Sequence, residues 1–283
     1  MRDDDAAKIS DRGLDIAISS FAPGAEVLKD KSVNVGCGFA AWEFARRNVL
    51  PVDPIGSALQ ITRCPSCEAT QIGASADQAC PACGSEVNTF AMHEPRGFRT
   101  LYRAIDYEDH AERGPLLAPP QLGFLPPDEP ASQVGSLHLQ PLRGTKVLVI
   151  NDNADHLYPL SPQRDGSVCV WEPSLYSPRV KLPQAGLRGD ETLAAIGSIK
   201  TTDVLLLKIQ ADGLPGPDGV IDVRGTPAGL SALWSFAELL RIAAGDQLDV
   251  DPAELQAGLH RRPQCHSHLG SVFDRLNVSY GSN

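Results

Sequence analysis

The sequence lacks any segment suited to crossing a membrane. No apolar run reaches the roughly 18–20 residues that a membrane-spanning helix needs. The first ten residues, MRDDDAAKIS, carry three aspartates and no apolar centre, so they do not resemble a secretory signal. We therefore expect a cytoplasmic protein with no membrane association.

Basic charge is also scarce. The 283 residues include 25 lysines and arginines against 35 aspartates and glutamates, which gives a net charge of −10. Nucleic-acid phosphates attract basic surfaces, so this balance argues against broad non-specific binding of DNA or RNA. Two short basic stretches stand out, ARR at 45–47 and HRR at 260–262.

Familiar catalytic motifs are missing as well. The chain has no G-x-x-x-x-G-K-[ST] phosphate loop, no G-x-S-x-G nucleophile turn and no H-E-x-x-H metal helix. His110 and His156 stand beside acidic residues, but nothing in the sequence connects them to a nucleophile. We expect a protein that is not an enzyme. An enzyme with His110 or His156 as its base is the alternative.

What the sequence does contain is a pair of Cys-x-x-Cys motifs in RCPSCEATQIGASADQACPACGSE, residues 63–86. In a reducing cytosol such pairs indicate metal or redox chemistry rather than a disulfide framework. Two such turns can present four sulfurs to one tetrahedral ion, the arrangement that Zn2+ prefers. We predict a zinc ribbon with the ligands Cys64, Cys67, Cys80 and Cys83. A redox dithiol is the alternative.

The predicted zinc has a structural role. A shell of four thiolates leaves no position for water or substrate. The cysteine segment also has almost no large apolar side chains, so metal binding would supply most of its local folding energy.

The remaining cysteines have simpler interpretations. Cys37 and Cys169 lie in apolar stretches, which is typical of buried small side chains. The CHSH sequence at 265–268 can recruit a metal, but without a second pair of ligands it is more typical of a solvated tail.

Hydrophobic periodicity predicts a β-rich body. Alternating apolar residues favour a strand at 14–18, and a hairpin follows at 25–35. Residues 39–47 fit either a short helix or a strand. The stretch 145–173 is β-rich, and 201–209 is apolar on both faces, which is typical of a central strand.

The C-terminal part predicts two helices. Thr226 can cap the first, Pro227 suits its first position, and apolar residues then follow at helical spacing. A second short helix is predicted at 251–259. The expected fold class is thus α+β, with a β-rich body, an inserted four-cysteine zinc ribbon and a C-terminal helical pair.

The same patterns divide the chain into four consecutive segments. They are an N-terminal β-rich segment (1–60), the zinc ribbon with a PRGF segment (61–100), a β-rich body with a Pro-rich loop at 115–132 (101–225), and the C-terminal helices and tail (226–283).

Five segments also occur in a recognisable order. They are LDIAISSFAPGAEVLKDK (14–31), RCPSC…CPACG followed by EPRGFRT (94–100), VLVINDNADHLYPL (147–160), TTDVLLLKI (201–209) and SALWSFAELLRIAAGDQLDVDPAELQAGL (231–259). Their order resembles that of the DrmB-like family, a helicase-associated C-terminal domain. This domain is found in DrmB of DISARM anti-phage defence and in MrfA-type DEAD/DEAH-box repair helicases. Relative to that family the chain looks shortened at its C-terminus.

The resemblance implies an accessory module that works beside an ATP-driven, DrmA-like DEAD/DEAH-box helicase and reaches DNA through the complex. The motor would then be a separate chain. The four cysteines carry over as metal ligands. Arg96, Phe98 and Arg99 are candidate contacts to nucleic acid or a partner; the alternative is that the arginines pair with local acids and Phe98 packs in the core. A free-standing zinc-ribbon regulator that binds nucleic acid is the rival function.

Overall fold

The computed structural model describes most of the chain between Arg12 and Tyr280. The described residues are 12–45, 48–66, 68–73, 79–80, 83–106, 118, 120–122, 132–135, 137–178, 180–182, 190–209, 214–216, 219–221, 227–261 and 274–280.

Strands dominate the regular structure, which confirms the predicted β-rich α+β class. Two described segments are α-helical, α1 (Leu14–Ser20) and α2 (Pro227–Leu248). The strands in chain order are β1 (Glu26–Lys29), β2 (Ser32–Phe39), β3 (Ala41–Ala45), β4 (Asn48–Val52), β5 (Leu59–Arg63), β6 (Thr70–Ile72), β7 (Asn88–His93), β8 (Phe98–Thr100), β9 (Ile105–Asp106), β10 (Pro120–Leu122), β11 (Ser132–Val134), β12 (Leu137–Asn151), β13 (Tyr158–Pro162), β14 (Val168–Cys169), β15 (Thr192–Ile209), β16 (Leu214–Gly216), β17 (Gly219–Ile221), β18 (Leu255–Arg261) and β19 (Asp274–Tyr280).

The chain forms two compact units, and each is assembled from three separate stretches. Unit 1 comprises residues 1–58, 91–118 and 150–198, and unit 2 comprises 59–90, 119–149 and 199–283. The sequence, in contrast, predicts consecutive segments. The difference arises because strands distant in sequence pair with one another, and such pairing leaves no local sequence pattern.

Unit 1 is organised around β2, which pairs antiparallel with β1, β8, β9 and β14. β14 pairs in turn with β13, and β13 pairs with the first residues of β15. The apolar residues of β2 form a core with Tyr176 and its neighbours; the buried members are Val33, Val35, Cys37 and Tyr176.

The predicted hairpin at 25–35 is present as β1 and β2. Asp30 and Lys31 join the strands with φ angles of 52° and 60°. Two successive residues in the left-handed region are typical of the two-residue turn whose twist matches antiparallel strands. Residues 41–45, which the sequence left undecided, form β3, and β3 pairs with β4 as a separate two-stranded sheet.

The predicted strand at 14–18 is wrong, because these residues begin helix α1. The backbone N–H groups of Ile16 and Ala17 donate to the Gly13 carbonyl at 3.0 and 2.9 Å. Ala17 and Ile18 are buried, whereas Ile16 is 49% exposed. The alternating apolar residues concealed a second pattern, Leu14, Ala17 and Ile18, whose three- and four-residue spacing places them on one helix face.

Unit 2 contains the second part of β15, whose side chains alternate between two apolar clusters. Val204 and Leu206 pack in the first cluster, with Leu142 and Val147 of β12. Leu207 packs in the second, with Ala237 of α2 and Ala257 of β18. The predicted strand at 201–209, apolar on both faces, is therefore confirmed.

The C-terminal helical pair is unequal in length. The predicted long helix is present as α2. The predicted second helix at 251–259 is limited to a 3-10 turn at Pro252–Glu254, whose first amide donates to the Asp251 side chain at 2.8 Å. From Leu255 onward the chain is strand β18, which pairs antiparallel with β19. This pairing partner lies well beyond the apolar pattern that suggested a helix, so tertiary pairing overrides the local preference.

Of the helices in the described part of the chain, none combines the length and the apolar character needed to cross a membrane. The Pro-rich loop predicted at 115–132 lies largely outside the described residues, as do His110 and the CHSH sequence at 265–268.

Candidate metal centre

The first Cys-x-x-Cys motif forms a tight turn at the end of β5, in unit 2. The backbone N–H of Cys64 donates to the carbonyl of Ala69 at 2.9 Å, and the N–H of Glu68 donates back to the carbonyl of Cys64 at 2.8 Å. Glu68 adopts a left-handed conformation with φ 59°. The turn therefore reverses the chain within six residues and leads into β6.

The second motif repeats this backbone arrangement. The N–H of Cys80 donates to the carbonyl of Ser85 at 2.8 Å, and the N–H of Gly84 donates to the carbonyl of Cys80 at 2.7 Å. Gly84 has φ 76°, so both turns place their left-handed residue four positions after the first cysteine. The two motifs are thus copies of one local structure, as expected for paired metal-binding turns.

The turns bring three sulfur atoms together. The Sγ atoms of Cys64, Cys80 and Cys83 all lie within 4.8 Å of one another, and those of Cys64 and Cys83 are 3.5 Å apart. Four sulfurs around zinc at about 2.3 Å form a tetrahedron whose edges are about 3.8 Å. The observed separations fit such an ion, and the three cysteines can hold a metal.

Burial and redox state agree with this interpretation. Cys64 and Cys80 are buried, with 0% and 3% of their surface exposed, and Cys83 is half-buried. All three are free thiols rather than disulfide partners. The apolar residues packed against the cluster are small, Ala69 and Val87 besides Cys83. Dispersion and burial therefore contribute little to holding these turns together.

Cys67, the fourth predicted ligand, lies outside the described residues. In the sequence, Cys67 is the third residue after Cys64, just as Cys83 is the third residue after Cys80. Because the two turns share one hydrogen-bond pattern, the repeat makes Cys67 the counterpart of a residue that reaches the cluster.

The first turn is anchored to the rest of unit 2 through Thr70. Its hydroxyl lies 3.1 Å from the carbonyl oxygen of Glu68 and 3.3 Å from Oε1 of Gln121 in β10. Thr70 is buried, so these polar contacts are shielded from water. They fix the left-handed residue of the turn relative to a strand from a distant part of the sequence.

The PRGF segment belongs to unit 1, and the structure gives two of its side chains partners there. Phe98 packs against Phe21, with ring centroids 5.9 Å apart, and against Phe39, with centroids 5.6 Å apart. Nη1 of Arg99 donates to Asp165 at 2.9 Å. Arg96 is exposed, and its backbone N–H donates to Pro54. Contact of these residues with nucleic acid or a partner stays a prediction.

A cleft of about 780 Å3 in unit 1 is lined by two of the segments that carry the family resemblance. Residues 22–25 form one wall, and the turn after β12 contributes Asn153, His156 and Leu157. This turn is held by Asn151, whose amide donates to Ile18 at 2.8 Å and whose oxygen accepts from the Tyr158 hydroxyl at 2.8 Å. Burial raises the pKa of Tyr158, so its hydroxyl keeps the proton that it donates.

Sequence reasoning missed one group of interacting residues. Cys37 and Cys169 were correctly predicted to be buried, but the two thiols also interact electrostatically with each other and with Arg99. No spacing motif connects these residues, because the pairing of β2 with β14 brings them together. The signal present was a lone cysteine in each of two apolar stretches, and it gave no pairing.

Comparisons of the chain with protein-family models, with curated proteins and with solved structures found no match.

Proposed function

We propose that the chain is a non-catalytic, zinc-binding accessory subunit of a DNA helicase. It would serve in a DISARM-like anti-phage defence system or a DNA repair system in the cytoplasm. A DrmA-like DEAD/DEAH-box partner would supply ATP hydrolysis and unwinding, and DNA would be reached through that complex.

The observation that carries the proposal is the repeated cysteine turn. Two turns with the same hydrogen bonds bring three thiols within 4.8 Å of one another, and the fourth cysteine occupies the matching sequence position. An all-sulfur tetrahedral set favours zinc or an iron–sulfur centre, and a single closed site of this spacing is typical of structural zinc. Zn2+ held by Cys64, Cys67, Cys80 and Cys83 would fix the turns and take no part in chemistry.

The helicase association is supported by the resemblance, and the packing of unit 1 adds a physical argument. Three segments that carry the resemblance meet there, since Phe98 of the PRGF segment contacts Phe21 and Asn151 binds the carbonyl of Ile18. Segments that share an order in a family and also share a packing centre are expected to act as one module.

The zinc assignment is tested by elemental analysis of the full chain purified under reducing conditions. We expect one zinc per chain, and Cys64→Ser is expected to lose it. Cys37→Ser is the matched control, because it removes an equally buried thiol from unit 1 and should retain one zinc. Iron in place of zinc, or no metal in the wild-type chain, would contradict the assignment.

The partner assignment needs a separate experiment. The chain is co-expressed with a candidate DrmA-like DEAD/DEAH-box helicase, and the mass of the eluted species is measured by light scattering. We expect a stable complex whose DNA-stimulated ATPase activity differs from that of the helicase alone. Two separate monomers would contradict the assignment. Salt-dependent DNA binding by the isolated chain would instead favour the free-standing regulator.

A further inference from the structure

The cleft of about 780 Å3 in unit 1 shares no residue with the cysteine turns of unit 2. Its volume lies within the roughly 300–1,000 Å3 of small-ligand sites, which combine apolar walls with a few polar groups. The cleft has this composition. Leu157, Leu175 and Leu193 are among its aliphatic residues, and His156 and Glu172 are among its polar ones.

One wall of the cleft has a backbone conformation that is unfavourable for its residue types. In the turn after β12, Ala154 and Leu157 have φ angles of 53° and 59°, and both residues line the cleft. In this left-handed conformation Cβ approaches the following carbonyl oxygen, which residues other than glycine, asparagine and aspartate rarely accept. Strained residues persist where surrounding contacts hold them, and they concentrate at ligand sites.

Contacts within the fold hold the walls in place. The N–H of Leu157 donates to the carbonyl of Asp152 at 2.7 Å, and the side-chain amide of Asn153 donates to the carbonyl of Leu157 at 3.1 Å. Elsewhere in the lining, a Cβ atom on Gly24 would lie 2.5 Å from the carbonyl oxygen of Leu175. The walls are therefore arranged before a ligand binds, which lowers the entropic cost of binding.

The charge of the cleft selects among ligands. With histidine counted as neutral, Glu172 is the only charged residue among the described residues that line it. Oε1 of Glu172 accepts from the amide of Ser174 at 3.3 Å and from its hydroxyl at 3.0 Å. Oε2 accepts from no described residue, and no described lysine or arginine pairs with the carboxylate. The cleft therefore favours a cationic ligand over a phosphate or another anion.

The hydrogen bonds from Ser174 also distinguish between basic groups. An arginine binds a carboxylate best through two parallel hydrogen bonds, one to each oxygen. Oε1 of Glu172 already accepts two hydrogen bonds, so a ligand finds one open oxygen. An ammonium group is a compact charge that needs no second oxygen of the same carboxylate. Lysine therefore fits this carboxylate better than arginine does.

We infer that the cleft binds a lysine side chain of a polypeptide, with its ammonium group at Oε2 of Glu172. The aliphatic part of a lysine can cover apolar surface while its charged end stays polar. Leu157 and Leu175 supply such surface, and Leu193, which is 61% exposed, offers more to the residues that flank the lysine. The site is independent of the proposed function, because it requires neither zinc nor a helicase.

The test titrates capped tripeptides into the full chain and follows backbone amide chemical shifts by NMR. The probes are leucine–lysine–leucine and its counterparts with acetyl-lysine, arginine or glutamate at the centre. We expect saturable shifts at Gly24, Ala154 and Leu157 with the lysine peptide. Binding should be about tenfold weaker for the acetyl-lysine peptide, which lacks the charge. It should also be weaker for the arginine peptide and absent for the glutamate peptide.

This experiment uses the unmodified chain, so a folding defect cannot obscure its result. The absence of saturable shifts at these amides would overturn the inference. Equal binding of the acetyl-lysine peptide would overturn it as well, because the carboxylate would then contribute nothing. Tighter binding of the arginine peptide would overturn the choice of lysine.

Variants then locate the charge that binds the peptide. Glu172→Gln retains an oxygen for Ser174 but removes the negative charge, so affinity for the lysine peptide should fall about tenfold. Glu43→Gln is the matched control, because it removes an exposed carboxylate of unit 1 that lies outside the cleft, and it should leave the affinity unchanged. Equal losses in both variants would show that the net charge of the chain attracts the peptide, and they would refute the site.

Discussion

The two groups of described cysteines show how differently one residue type is used in two regions of the molecule. In unit 2, Cys64, Cys80 and Cys83 stand at the ends of short turns with small neighbours. In unit 1, Cys37 and Cys169 lie inside paired strands, and Cys37 belongs to a core that includes Val33, Val35 and Tyr176. All of these cysteines except the half-buried Cys83 are buried, yet the surroundings of the two groups have little in common.

The difference lies in what stabilises each region. The turns of unit 2 have regular hydrogen bonds but little apolar surface to bury, so we expect their folding to depend on an ion that binds the thiolates. The strands of unit 1 bury large side chains and need no ion. Each of the following experiments perturbs either the metal turns of unit 2 or the core of unit 1. Measurements on the other region then show whether the two regions are independent.

The largest effect is expected from metal removal. Chelation of the reduced chain should release the amides of Glu68, Cys80 and Gly84, whose hydrogen bonds define the turns. We expect their hydrogen exchange to accelerate about a thousandfold or more. The amide of Val170, which donates to Cys37 in unit 1, should keep its protection. Equal loss of protection at Val170 would contradict the proposed independence of the two regions.

A glycine substitution in unit 1 should have the next largest effect. A Cβ atom on Gly38 would overlap the carbonyl oxygen of Val168 and lie 2.7 Å from Cα of Cys169. The strands would have to separate, so Gly38→Ala should destabilise unit 1 by about 3 kcal/mol in denaturant unfolding. Its zinc content should not change. A variant as stable as the wild type would show that β2 and β14 are less closely packed than described.

Removal of one hydroxyl tests the polar part of the unit 1 core. Tyr158→Phe deletes the donor to Oδ1 of Asn151, which also accepts from the backbone of Asn153. We expect a loss of about 1.5 kcal/mol in the free energy of unfolding, again with full zinc occupancy. Tyr176→Phe, which removes a buried donor to the carbonyl of Val170, provides a comparison at a site away from the turn.

The smallest effect is expected from the corresponding glycine change in the metal turn. A Cβ atom on Gly84 meets nothing within 4 Å, so the cost arises from its φ of 76° alone. Gly84→Ala should cost about 1 kcal/mol and weaken zinc binding accordingly. Glu68 already tolerates this conformation in the first turn, with φ 59°. A loss as large as that of Gly38→Ala would indicate a close contact at Gly84.

Local patterns in the sequence were sufficient for several elements. The strand at 201–209 was predictable because its apolar residues serve two clusters, and α2 was predictable from its helical spacing. The cysteine turns were predictable because the backbone hydrogen bonds that define them connect residues within six positions of each other. In each case the determining contacts are close in sequence or repeat with a fixed period.

Other features depend on partners that are distant in sequence. Residues 255–261 become a strand because β19 pairs with them, and Cys37 meets Cys169 because β2 pairs with β14. Helix α1 was missed for a different reason. Its short apolar pattern fits both periods, and the burial of Ala17 rather than Ile16 decides between them.

The interleaving of the two units has a consequence for synthesis on the ribosome. The cysteine turns emerge early, whereas strands β18 and β19 of the same unit are translated last. At ordinary elongation rates the interval is on the order of ten seconds or more. During that time the nascent thiols have no completed unit around them. The zinc available while the chain is being synthesised, rather than the zinc available after its release, would then determine whether these turns form correctly.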